Sequence, residues 1–94
     1  MSEETEQSRT IEYVEPEDGR LLVYANNHMI AVTAYDIRVL FGEVVGVTDE
    51  KIEIEQRVQV TMTWLQAKYL MENLLQRIAA FEKLNGEIKL PTIP

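Results

Sequence analysis

The 94-residue chain has no cysteine. That excludes a disulfide framework, a thiol nucleophile and a cysteine-ligated zinc site. Serine occurs only at Ser2 and Ser8, both in a polar, acidic N-terminal stretch, so no serine nucleophile is in prospect. Basic residues are few. Nine Lys and Arg stand against sixteen Asp and Glu, for a net charge of -7. Neither nucleic-acid binding, which needs clustered cations against phosphate, nor an anionic membrane surface suits that balance. No apolar run approaches the length of a membrane-spanning helix, and Met1 to Arg9 lacks the apolar centre of a secretory signal. The expectation is a cytoplasmic protein with no nucleic-acid and no membrane partner.

What is present suits one domain with a modest core. The apolar share is 46%, ordinary for a folded protein, and the length leaves no room for a second core. Residues 1–19 read as a flexible acidic tail, since Glu3, Glu4, Glu6, Glu12, Glu15, Glu17 and Asp18 repel one another with few apolar side chains to offset them. Ile11, Tyr13 and Val14 alternate weakly and offer an edge strand. Pro16 and Asp18-Gly19 mark a turn. Residues 20–88 form the single domain, and residues 89–94 a C-terminal tail that Pro91 and Pro94 keep from helix.

Within the domain the pattern is strand, strand, strand, helix. Leu21 to Ala25 and Met29 to Thr33 are rich in strand formers and flank Asn26-Asn27. The pair suits a tight turn or a bulge, and one long bent strand is preferred. Ala34 to Asp36 reads as a turn. Ile37, Val39 and Phe41 then alternate, Gly42 ends the regular part, and Val44, Val45 and Val47 extend it past a break at Gly46. Thr48 to Glu50 is the next connection. Ile52, Ile54, Val58, Val60 and Met62 share one parity, with Glu53, Glu55, Arg57, Gln59, Thr61 and Thr63 on the other. That alternation predicts one packed and one polar face.

Thr63 starts a helix, with Gln66 completing a capping-box pattern. Leu70, Met71, Leu74, Leu75, Ile78 and Phe81 fall mostly three or four apart, an arc of roughly 140° at about 100° per residue. Such a stripe is expected to pack on the sheet. Lys68 and Glu72 on the opposite side are spaced for an i,i+4 pair. Asn85-Gly86 supplies the stop, and Ile88 and Leu90 are placed to fold back. The fold class is therefore α+β: an antiparallel sheet of three to four strands followed by one long C-terminal amphipathic helix.

Chemistry is sparse. His28 is the only histidine, and a general base or metal ligand needs partners that its local string does not supply. Asp36 and Glu43 are distant carboxylates that the fold would have to bring to it. Glu53 and Glu55 point the same way along a strand, yet Arg57 next in the row suits a solvated face. Gly42 and Gly46 lack the spacing of a phosphate loop. No catalytic, metal or cofactor-binding residue is assigned. Outside the stripe, Leu65, Tyr69 and Leu84 are apolar or aromatic, with Trp64 at its margin. Trp64, Leu65 and Tyr69 are the expected interface, because Tyr and Trp favour such places.

Several short strings point to a family. Tyr24-Ala25-Asn26, Tyr35-Asp36-Ile37 with Phe41-Gly42, Arg57-Val58 with Thr61-Met62-Thr63, Ala67-Lys68, and Phe81-Glu82 with Gly86-Glu87-Ile88 resemble a small bacterial and archaeal domain of unknown function. The match runs from about residue 21 to 88. Thr63 and Phe81 stand where that family more often has Ser and Tyr, which keeps the hydroxyl and the ring. The resemblance implies no activity. More loosely, the layout looks like the export chaperone SecB, which implies subunits joined through sheets and helices. Three expectations follow. The first is a non-enzymatic interaction module acting as a homo-oligomer, dimer or tetramer. The second is a SecB-like holder of unfolded chains. The third is a small ligand-binding or enzymatic domain using His28.

Overall fold

The computed structural model describes residues 9–91. Residues 1–8 and 92–94, the outer parts of the two expected tails, lie outside the described residues. Strand β1 runs Asn27–Val32, β2 Asp36–Val47 and β3 Ile52–Thr63, followed by helix α1 at Trp64–Asn85. The sheet is a three-stranded antiparallel meander in the order β1-β2-β3. The α+β expectation, sheet first and one helix last, is the observed architecture.

One device sets three of the boundaries. A threonine hydroxyl accepts the backbone N–H three residues on, which fixes a turn or a first helical turn without asking for a left-handed residue. Thr33 Oγ1 accepts from Asp36 N at 3.0 Å and closes the β1–β2 hairpin. Thr48 Oγ1 accepts from Lys51 N at 3.1 Å and closes the β2–β3 hairpin. Thr63 Oγ1 accepts from Gln66 N at 3.1 Å and caps α1. The return bond expected from the Gln66 side chain is not formed, so only half of the capping box exists. At the other end Gly86, with φ +95°, donates its N–H to Glu82 O at 2.8 Å, the stop expected there.

Several sequence expectations are corrected. Leu21 to Ala25 form no strand, and β1 begins only at Asn27. The cause is Asn26. Its N–H donates to Gly42 O, while its side-chain Oδ1 takes the N–H of Val44 at 2.9 Å. The side chain thus fills the next ladder position, and the upstream chain leaves the edge of β2. Ile11, Tyr13 and Val14 form no edge strand either; all three are largely exposed. The turn at Pro16 is present, with Gly19 N–H donating to Pro16 O at 2.9 Å.

Gly42 and Gly46 do not end or break β2, which passes through both. They mark two register irregularities, between Phe41 and Gly42 and between Val44 and Gly46. At the first, Phe41 pairs with Val58 and Gly42 with Gln56, leaving Arg57 as an extra residue of β3. A one-residue bulge exchanges the faces beyond it. The polar and apolar rows of β3 therefore swap sides at Arg57. The single clean alternation read from the sequence holds only from Val58 onward.

The largest correction concerns the core. The stripe of α1 does not close on the sheet. No residue of α1 is buried, and among the described residues no apolar side chain is buried anywhere. Ile88 and Leu90 do not fold back into a core; Leu90 is 85% exposed. Total accessible surface is 9160 Å². A folded monomer of this mass exposes about 5,600 Å².

Candidate interaction groove

Helix and sheet are joined where β3 becomes α1. Thr63 is at once the last strand residue and the helix N-cap. Trp64 follows, and its indole Nε1–H donates to Thr33 O at 3.1 Å, tying the first turn of the helix to the β1–β2 hairpin. From that fixed corner α1 runs alongside the sheet with a groove of about 640 Å³ between them.

The sheet wall of the groove is Ile30, Ile37, Val39, Phe41 and Met62, with His28 at one side. These side chains share a face because the register sets Ile30 opposite Val39, His28 opposite Phe41 and Ile37 opposite Met62. The helix wall is Leu70, Met71, Leu74, Leu75 and Ile78, entered past Trp64 and Ala67. Ile30 stays 55% exposed, Leu74 50% and Ile78 43%. Farther along the same face Leu21, Val23 and Ala25 lie over Phe41, Val58 and Val60. The N-terminal arm and the helix thus flank one apolar sheet face from two sides.

The expected interface residues separate. Trp64 lines the groove and anchors the helix. Leu65 and Tyr69 are absent from the groove lining and stay 66% and 57% exposed. Helical spacing places them on the opposite face of α1. Lys68 belongs to the groove wall rather than to the polar face, and the expected pair with Glu72 is not formed. Positions 64, 68, 71, 75 and 78 step by three or four, so Lys68 falls inside the stripe and its aliphatic stem can line it.

His28 stands on the sheet wall without an acid–base partner. Asp36 accepts from Thr33 Oγ1 at 2.9 Å and lies 3.6 Å from Arg38. Glu43 lies 3.0 Å from Arg57 Nη2, which also bonds Glu55 at 3.0 Å. Glu53 pairs instead with Lys51 at 3.3 Å. The carboxylates of the sheet are thus engaged by cations, as a solvated face requires. Among the described residues no three His, Cys, Asp or Glu side chains are grouped to hold a metal ion. No helix among the described residues is long and apolar enough to cross a membrane.

The model of the family described as a protein of unknown function (DUF3467) matches residues 1–90. The chain belongs to this family. The resemblance carried by Tyr24-Ala25-Asn26 and the later strings therefore holds, over a longer stretch than those strings span. No curated protein and no solved structure matches the chain significantly. The SecB-like layout thus has no counterpart in these comparisons. The family's description carries no activity, so the functional reading rests on the groove.

Sequence reasoning found the helix wall through its periodicity but missed the groove. No signal in the chain says that a stripe and a sheet face stand apart. The nearest hint is the apolar surplus of the helix, whose Leu65, Tyr69 and Leu84 lie outside the stripe.

Proposed function

We propose that this chain is a non-enzymatic protein-interaction module that works as a homo-oligomer. One observation carries the reading: a chain that is 46% apolar buries none of its apolar side chains among the described residues. Small domains that cannot complete a core alone gain it by association. Ile30, Leu74 and Ile78 stand about half exposed along one apolar groove, and contiguous apolar surface of this kind marks an interaction site. Sedimentation equilibrium at tens of micromolar tests it. A dimer or tetramer is expected; a monomer would overturn the reading.

A second reading is a holder of unfolded chains, favoured by the apolar, open walls of the groove. It predicts that the protein suppresses aggregation of a reduced, unfolding client such as insulin. No suppression at tenfold excess would remove it. The His28 reading gains nothing comparable, since Asp36 and Glu43 already have other partners.

A further inference from the structure

We propose that the groove between α1 and the sheet is the docking site for a second copy of this chain, with the helix stripe of each copy seated against the sheet face of the other. This rests on the homo-oligomer reading and adds the surface and the symmetry.

Three features single out a second copy. The first is length. The groove lining ends at Ile78, yet the stripe continues to Phe81, which is 53% exposed. The stripe thus runs about one turn past the part of α1 that faces the chain's own sheet across the groove, and that turn is left for a surface from elsewhere. The second is self-complementarity. One wall is an aliphatic helix and the other a β-branched and aromatic sheet face. A two-fold contact that brings one copy's helix to the other's sheet satisfies both walls in both copies at once, as an isologous interface does. The third is charge. Each chain carries a net charge of -7, but no carboxylate lines the groove, where His28 and Lys68 are the only ionisable side chains. Two acidic chains can meet here without setting like charges against each other.

The absence of cysteine gives a clean test. Chains carrying Leu74→Cys alone are refolded together with chains carrying Ile30→Cys alone and then oxidised. Any disulfide between the two variants joins different copies. A mixed disulfide dimer is expected at several-fold the yield given by Leu65→Cys with Ile30→Cys, because Leu65 lies on the outer face of α1. In parallel, Ile78→Asp should dissociate the oligomer while Tyr69→Ser leaves it assembled. A wild-type monomer would overturn both this inference and the homo-oligomer reading. An oligomer that dissociates on Tyr69→Ser and gives no Leu74–Ile30 crosslink would overturn the inference alone. A monomer that holds a reduced, unfolded client through Ile78 would assign the groove to the client instead.

Discussion

Gly42 is the one buried residue of the sheet, and its lack of a side chain has a steric cause. A Cβ there would stand 2.7 Å from Glu55 O and 3.0 Å from Ile54 Cγ2. The space it leaves is used by Gln56, whose amide reaches across β2 to Met29 Sδ at 3.3 Å. Because the blocking atom is backbone, Gly42→Ala should lower stability by about 1–3 kcal/mol. Gly46→Ala meets only the Glu53 side chain, Cβ at 3.7 Å and Cδ at 3.9 Å, and should be close to neutral. Urea denaturation of both variants at one protein concentration checks the contrast. A few residues away, Glu43 and Glu55 are direct cross-strand partners held together by Arg57. Like charges directly opposite destabilise a sheet. Arg57→Ala should therefore cost about 0.5–1 kcal/mol, the scale of a partly exposed ion pair. Glu43→Gln in that background should recover part of it, and a double-mutant cycle measures the coupling. Arg57 was legible in the sequence as a relief for Glu53 and Glu55. That it serves Glu43 and Glu55 was not, because the bulge that exchanges the faces leaves no mark in an alternating row.

The elements differ in how openly the sequence declares them. The ends of α1 are local chemistry: a threonine hydroxyl at Thr63 and a left-handed glycine at Gly86, each acting within three or four residues. Both were readable. Whether Leu21 to Ala25 make a strand is not local, because a strand exists only where another backbone offers partners. Asn26 decides it by giving its side-chain oxygen to Val44 N–H, an interaction between residues 18 apart in the chain. The same limit hides the groove. Periodicity says which face of a helix is apolar, not what covers it. The hinge of the whole arrangement is the junction at Thr63 and Trp64, where the indole N–H to Thr33 O holds the helix against the hairpin turn. Trp64→Phe keeps an aromatic ring, smaller than the indole, and deletes the donor. It should cost about 1 kcal/mol, the net value of one hydrogen bond. Helical content by circular dichroism should be unchanged, because the cap at Thr63 is untouched.

At the scale of the whole molecule, the sheet and helix are each well formed by their own hydrogen bonds, yet neither is stabilised by a packed interior within the chain. Backbone ladders and caps give only modest net stability, since the unfolded chain bonds equally to water. The driving term for folding is apolar burial. On the homo-oligomer reading, much of that term comes with assembly, since Leu74, Ile78 and Phe81 on the helix and Ile30 and Val32 on the sheet are about half exposed within the chain. On that reading folding and association are one event, and stability depends on protein concentration by mass action. For a dimer, each tenfold dilution removes about 1.4 kcal/mol from the stability of the assembled state. With the entropy of unfolding expected for two chains of this size, the melting temperature should fall by about 3 °C per tenfold dilution. Calorimetry over two decades of concentration reads this directly. A melting temperature that stays constant across that range would mean that each chain folds alone, and the open groove would then have to be stabilised by something other than a second copy.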